Sequence, residues 1–448
     1  VKVVLSVSIV LIPAVLAGNA MLGGTLALGI LGGAIAETDD HPRGRVKSLA
    51  LTILGFLTSS ISVELLHPYP LPFAIGLFFS SFSFIMIGGI NERYRGITFG
   101  TLLVAIYTML GVSIENPWYF QPTALAGGAL FYGLISLALL VKRPWRPLQE
   151  ELSTGFTHLA QYIAIKSKLF PSEEETQDLT RNQLAQKNIE VVQAIKRIHR
   201  VLRSYAGEIG KKDENLGRYY TQWLILQQLH ERAASSHESY DLLSSKTDNI
   251  KLVEGLGQLL SEIAHAADQY AACLLNNKQY KHPISLQWTL AALSDMMRHH
   301  QEDSQYAALS LLFKNLTEME RIMQKIGDPV VTDEVPSDYE PLTIKERLKM
   351  LFNMHHPRFK YALRLSISLL VGYGLLYFFD LEKGEWILLT SLLVSQQSCN
   401  RSVAGSIDAH FDRTDYFDAG FILSFLLLYQ KQICHCGYFC DHLGNSTF

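Results

Sequence analysis

The chain has 448 residues, of which 48% are hydrophobic, and its 39 Lys and Arg against 42 Asp and Glu give a formal net charge of −3. This balance argues against nucleic acid as a partner, because nucleic-acid-binding proteins carry a basic face. Only one of the five cysteines, Cys273, precedes residue 399, so the chain has no disulfide framework.

The first 145 residues form a series of apolar stretches separated by short polar turns. A helix needs roughly 20 apolar residues to cross a bilayer, and six segments approach that length: 3–18, 20–36, 48–66, 72–90, 97–114 and 123–141. Almost no ionisable side chain lies within them, which is typical of helices surrounded by lipid. We therefore predict an all-α, polytopic transmembrane bundle with a six-span module at 1–145. Because the chain begins at Val1 and the first segment is short, we expect further residues before it.

The charges of the connecting loops predict the orientation of these spans. Every second loop lacks Lys and Arg, and the alternate loops carry eight basic residues: Arg43, Arg45, Lys47, Arg93, Arg95, Lys142, Arg143 and Arg146. Basic loops stay in the cytoplasm, so we expect both ends of the module, and the segment that follows it, to be cytoplasmic.

Small residues recur inside the predicted spans, among them Gly23, Gly24, Gly29, Gly32, Gly33, Gly88, Gly89, Gly127, Gly128 and Gly133. Glycine allows membrane helices to approach closely. Close helix packing is the simpler interpretation, and the lining of a substrate path is the alternative.

Residues 146–342 have a different composition, with charged and amide side chains and apolar residues at helical spacing. We predict six helices, at 149–169, 180–207, 216–246, 249–276, 284–300 and 303–326. The apolar stripe of the first is Leu152, Phe156, Leu159, Ile163 and Ile165, and that of the second is Ile189, Val192, Ile195, Ile198 and Leu202. An acidic, proline-containing linker closes this cytoplasmic helical domain at 327–342.

Residues 343–400 begin a second membrane module. A short helix at 343–354 leads to a seventh span at 359–379, and an eighth begins at Trp386. The repeated entry polarity indicates an internal duplication. Residues 401–448 are unlike the rest: acidic side chains appear where spans should continue, and Cys434, Cys436, Cys440 and His442 do not match a standard zinc spacing. We interpret this tail as translated out of frame and predict no metal site.

Ionisable groups inside membrane spans are costly and are candidates for function by default. Glu64 lies near the outer end of the third span, where it is either a proton-coupling carboxylate or an interfacial one. Asp39 and Asp40 face Arg43 and Arg45 and form either a salt-bridged turn or a gate.

Two further candidates lie in later spans. Arg364, in the seventh span, either extends to the interface or pairs with an anionic substrate. Tyr107 offers an aromatic surface and a hydroxyl in the fifth span, where bundle packing is the default.

Several segments together resemble the YccS/YhfK family of bacterial inner-membrane proteins, relatives of the fusaric-acid-resistance and aromatic carboxylic acid efflux proteins. The resemblance rests on Glu-Thr-Asp-Asp at 37–40, Ser-Val-Glu-Leu-Leu at 62–66, Phe-Ala-Ile-Gly-Leu at 73–77, Ala-Ile-Tyr-Thr-Met-Leu-Gly at 105–111, Arg-Pro-Leu-Gln at 146–149, His-Glu-Arg-Ala at 230–233 and Trp-Ile-Leu-Leu-Thr-Ser-Leu at 386–392. It extends from residue 1 to about 401. Family members look longer at both ends. The resemblance implies a location in the bacterial inner membrane and a relation to exporters of aromatic carboxylates.

Two functions follow as alternatives. The first is a secondary transporter that exports organic, including aromatic, anions. No phosphate-binding Gly-x-x-x-x-Gly-Lys-Ser/Thr motif occurs, so it would either use an ion gradient or move its solute passively. The second is a non-transporting scaffold whose helical domain recruits envelope or stress-related partners. No nucleophile–base arrangement indicates an enzyme, and no cofactor is expected. The bilayer, a small organic anion and a second copy of the chain are the expected partners.

Overall fold

A computed structural model describes residues 2–38, 41–112, 117–171, 174–210, 213–235, 250–276, 278–299, 306–326, 349–379 and 388–392. Within these ranges every regular element is a helix, which confirms the predicted all-α class. The linker at 327–342 and the tail at 401–448 lie outside the described residues.

Six helices occupy the six predicted apolar segments, and a seventh follows residue 356. They are α1 (Lys2–Leu16), α2 (Ala20–Ile35), α3 (Pro42–Leu66), α4 (Pro70–Ile87), α5 (Glu92–Gly111), α6 (Phe120–Lys142) and α13 (Pro357–Phe379). Four of the helices in the described ranges, α3, α4, α6 and α13, are long and apolar enough to cross a membrane. Helices α1 and α2 are apolar but shorter. Residues 388–392 are helical, and the remainder of the predicted eighth span lies outside the described residues.

Six further helices fill the polar middle of the chain, close to their predicted bounds: α7 (Arg146–Ser167), α8 (Glu174–Ile209), α9 (Glu214–Ser235), α10 (Ile250–Asn276), α11 (Ile284–His299) and α12 (Tyr306–Lys325). The predicted helix at 216–246 is described only as far as residue 235.

The chain divides into two compact units. The apolar unit comprises the described residues of Val1–Thr38, Val46–Ala138 and Leu342–Phe448, and the amphipathic unit those of Asp39–Arg45 and Leu139–Pro341.

Hydroxyl groups connect neighbouring helices inside the apolar unit. The hydroxyls of Ser60 in α3 and Thr108 in α5 are 2.7 Å apart, and Ser81 in α4 donates to Ser366 in α13 at 3.0 Å. All four side chains are buried. Since lipid offers such groups no partner, these hydrogen bonds stabilise particular helix pairs.

Glycines bring α2 and α6 into backbone contact. A Cβ atom on Gly29 would overlap the carbonyl of Leu125, and one on Gly128 would overlap the carbonyl of Leu26. Such backbone contacts are expected if these glycines serve close helix packing.

The amphipathic unit is built around α7, whose predicted stripe is confirmed: Leu152, Phe156, Leu159 and Ile163 are fully buried, and Ile165 packs at the edge of the core. The predicted stripe of α8 was partly wrong. Ile189 is 54% exposed, whereas the buried face carries Leu184, Val191, Ala194, Ile198, Leu202 and Tyr205. Alanine and tyrosine belong to this face, so a stripe chosen from Ile, Val and Leu alone was rotated away from it.

Candidate functional site

A carboxylate held by two hydroxyl groups is the most developed polar site of the apolar unit. Glu37 follows the C-terminal end of α2, and its two oxygens face α6. Tyr132 and Ser136, four residues apart and therefore on one face of α6, donate hydrogen bonds to it. Tyr132 donates to Oε2, and Ser136 donates to Oε1 at 2.6 Å. We call these three residues the Glu37 site.

The Glu37 site is largely shielded from solvent. Tyr132 and Ser136 are 4% and 2% exposed, and the Glu37 side chain is 19% exposed. The ammonium group of Lys2, in the first turn of α1, lies 4.0 Å from Oε1 and is itself half exposed. Close packing of α2 against α6 at Gly29 and Gly128 fixes the distance across which the hydroxyls reach the carboxylate.

The hydrogen-bond pattern of the site depends on the charge of Glu37. An ionised carboxylate only accepts hydrogen bonds, so both hydroxyls donate to it. A protonated carboxyl carries a donor of its own, so the hydroxyl it faces must turn its proton elsewhere. Gain or loss of one proton therefore changes the hydrogen bonds between Glu37 and α6. A buried carboxylate of this kind can accept a proton and release it.

The described candidates lie on three different helices, Glu64 on α3, Tyr107 on α5 and Arg364 on α13. Glu64 is half-buried, two residues before the end of α3. Tyr107 is 3% exposed and packs within an apolar cluster that includes Phe56, Leu103 and Ile106. Asp39 and Asp40 lie outside the described residues.

Arg364 lies on the exposed face of α13, next to the exposed side chains of Leu363 and Ile367. Arg358, a second basic residue of this helix, contacts α4: its Nε donates to the carbonyl of Ile85 in the last turn of α4 at 3.0 Å. A cation is stabilised there because the last carbonyls of a helix carry partial negative charge. A role for Arg364 in pairing with a substrate stays a prediction.

The sequence reasoning overlooked the Glu37 site. Residue 37 directly follows the predicted span at 20–36, and its partners lie 95 and 99 residues further along the chain. The available signal was a Tyr and a Ser four apart on one face of an otherwise apolar helix, which indicates a polar partner on a neighbouring helix.

Comparison with known proteins gives consistent matches. A family described as FUSC-like inner membrane protein yccS matches residues 48–323. The chain is 31% identical over 401 residues to inner membrane protein YccS of Escherichia coli (strain K12), covering 86% of this chain and 55% of that protein. It is 30% identical over 387 residues to an uncharacterized protein of Haemophilus influenzae, covering 83% and 53%.

A more distant match is the uncharacterized protein YhfK of Escherichia coli (strain K12), 21% identical over 367 residues, which cover 81% of this chain and 50% of that protein. The chain thus spans about half the length of the curated relatives that it matches.

Proposed function

The chain belongs to the FUSC-like inner membrane protein family, and from this premise we propose that it is a secondary transporter that exports organic anions across the inner membrane. Aromatic carboxylates are the first substrates to test, as the resemblance to aromatic acid exporters implies. The basic loop at Lys142 and Arg143 supports a cytoplasmic position for the amphipathic unit in this proposal.

The observation that carries this proposal is the Glu37 site. Export against a gradient needs a group that couples the movement of an anion to that of an ion. Glu37 meets this need, because it is a mostly buried carboxylate that accepts hydrogen bonds from Tyr132 and Ser136 of another helix. We assign it the coupling proton. In this scheme, binding of the proton reverses one hydrogen bond to α6 and its release restores that bond.

The test is proton-driven transport by the purified chain in proteoliposomes. An imposed pH gradient should drive efflux of radiolabelled benzoate faster than from protein-free liposomes, where only the neutral acid permeates. Glu37→Gln should reduce this protein-dependent rate at least tenfold, since an amide does not exchange protons. Glu254→Gln is the matched control, because Glu254 is exposed on α10 and should leave the rate unchanged.

Two results would contradict the proposal. The wild-type chain would move none of a panel of aromatic and aliphatic acids, or Glu37→Gln would transport them as fast as wild type.

One observation favours the scaffold as a second candidate. Ile284 and Trp288 on α11 are 63% and 72% exposed and lie four residues apart, on one face of the helix. Large exposed apolar side chains that adjoin are typical of interaction surfaces. A photo-crosslinking residue at position 288, compared with the same residue at exposed position 251, tests this candidate in cells. Adducts with one soluble protein at 288 alone would support a scaffold, adducts with a second copy would indicate a homo-oligomer, and no adduct would exclude both at this face.

A further inference from the structure

A groove lies between α8 and α9 in the amphipathic unit, with a cavity volume of about 350 Å³. This size is at the lower end of the range of small-molecule sites. Its lining is amphipathic: Val192, Ile195 and Trp223 supply apolar surface, and Lys196, His199, Gln227, His230 and Glu231 supply polar groups.

The two helices run antiparallel along the groove, so its ends differ. His230 contacts Asn188 at one end, and Trp223 contacts Ile195 and His199 at the other. Seven residues of α8 separate Asn188 from Ile195, which corresponds to about 10 Å of helix.

The end at Trp223 is aromatic and cationic. The imidazole of His199 stacks on the indole of Trp223, with ring centroids 4.8 Å apart and an interplanar angle of 21°. The indole N–H donates to the carbonyl of Ile195 at 3.0 Å, which fixes the ring in place. Lys196 is exposed beside this pair. Trp223 is 9% exposed beneath this stack, so the accessible π face at this end is that of the half-buried His199 ring, next to the ammonium group of Lys196. This combination suits a planar ring that bears a negative charge.

The opposite end offers hydrogen-bond acceptors. His230 Nε2 and Asn188 Oδ1 are 2.7 Å apart, and burial lowers the pKa of His230, which favours the neutral ring. With Nε2 donating to Asn188, Nδ1 is an acceptor. Glu231 adds a carboxylate, whose Oε1 accepts from Gln227 Nε2 at 2.9 Å. A ligand edge with N–H groups fits this end.

We propose that the groove binds a planar aromatic anion that stacks on the His199–Trp223 pair, places its anionic group at Lys196 and directs N–H donors toward His230 and Glu231. Two kinds of ligand have this chemistry, a purine nucleoside monophosphate and an amino-substituted aromatic acid. The site belongs to the amphipathic unit and needs no transport activity, so it stands apart from the proposed export function.

Equilibrium dialysis with the purified full chain in lipid nanodiscs tests the site, with radiolabelled AMP and 4-aminobenzoate as probes. Lys196→Gln should weaken binding of the bound probe at least tenfold, and Glu231→Gln should weaken it several-fold. Lys251→Gln, at an exposed lysine of α10 outside the groove, is the matched control and should bind as wild type does. Benzoate, which lacks the N–H donor, should bind more weakly than 4-aminobenzoate if the aromatic acid is the ligand.

The outcomes separate the two sources. If AMP alone binds saturably and depends on Lys196, the ligand is a nucleotide. If 4-aminobenzoate alone does so, the ligand is an aromatic acid. If both do, the groove recognises the chemistry that the two ligands share. The proposal is overturned if neither probe binds, or if Lys196→Gln and Lys251→Gln bind them equally well. Because dialysis measures no flux, these results are independent of the transport assay.

Discussion

Two adjacent glycines in α6 make the packing of the apolar unit testable by one pair of substitutions. A Cβ atom on Gly128 would overlap the carbonyl oxygen of Leu26 and lie 3.0 Å from the backbone nitrogen of Ile30. A Cβ atom on Gly127 would meet only the Leu26 Cδ2 methyl group, at an ordinary contact distance of 3.6 Å. We therefore expect Gly128→Ala to destabilise the protein and Gly127→Ala to stabilise it.

The expected difference follows from two terms. Replacing glycine by alanine within a helix contributes about 1 kcal/mol of stability, and this gain is common to both variants. Overpacking costs about 1–3 kcal/mol, and we expect the upper value at Gly128, because backbone atoms of α2 cannot rotate away as a side chain can. Gly128→Ala should then be about 2 kcal/mol less stable than wild type, and Gly127→Ala about 1 kcal/mol more stable.

Unfolding of the purified chain in mixed micelles, with increasing mole fraction of SDS and helicity followed by circular dichroism, measures both variants against wild type. The comparison is internally controlled, since both substitutions add the same methyl group to neighbouring residues of one helix. Equal stabilities of the two variants, or a Gly127→Ala variant that is the less stable of the two, would refute the assignment of Gly128 to the contact between α2 and α6.

Two predictions concern the amphipathic unit and can be measured in the full chain by hydrogen exchange. Burial lowers the pKa of Lys166 to about 8. Burying this lysine in its charged form therefore costs about 3 kcal/mol of folding free energy. The cost is complete below pH 8 and disappears as the pH rises from 8 to 10.5. Lys166→Met removes this cost and also the hydrogen bond to the carbonyl of Ala233, so it should raise the free energy of unfolding by about 2 kcal/mol at pH 7. If the extra stability of the variant did not shrink above pH 8, the burial of a charged lysine would not be its cause. Glu320 is 7% exposed, and its Oε1 lies 3.0 Å from His282 Nε2. Glu320→Ala should therefore lower the free energy of unfolding by about 2–4 kcal/mol, whereas Glu318→Ala, at a partly exposed carboxylate of the same helix, should lower it by less than about 1 kcal/mol. Equal losses in the two variants would show that the buried pair contributes nothing to stability.

The helices of the amphipathic unit could be predicted from sequence because their signals are local. Apolar residues at helical spacing identified α7 through α12, with predicted bounds close to the observed ones in the described residues. The face of α8 was harder to predict, because Ala194 and Tyr205 belong to its buried side while Ile189 does not. Burial there is determined by which helices surround α8, and its own composition does not contain that information.

The candidate site could be predicted only in part, because hydropathy identifies apolar helices without identifying their neighbours. The distinction between Gly127 and Gly128, and the pairing of Glu37 with Tyr132 and Ser136, both depend on how α2 lies against α6. The search for charges inside spans selected Glu64 and omitted Glu37, since the latter follows the end of its helix. A carboxylate at a helix end can still be enclosed when a longer neighbouring helix extends past it.

The interlocking of α2 with α6 limits the motions that are available to the apolar unit. Leu26 and Gly128 form one interlocked pair, and Gly29 and Leu125 form another, so α6 cannot slide or roll along α2 without backbone collision. Closely packed interfaces of this kind move as rigid bodies. In any conformational change, α2 and α6 would thus move together as one rigid body, and the helices that move relative to each other would be other pairs. The contact of α4 with α13 is held instead by side chains, among them the Ser81–Ser366 and Arg358–Ile85 hydrogen bonds and the Phe73–Tyr373 ring contact. Side chains can change rotamer and partner, so relative motion meets less backbone resistance there.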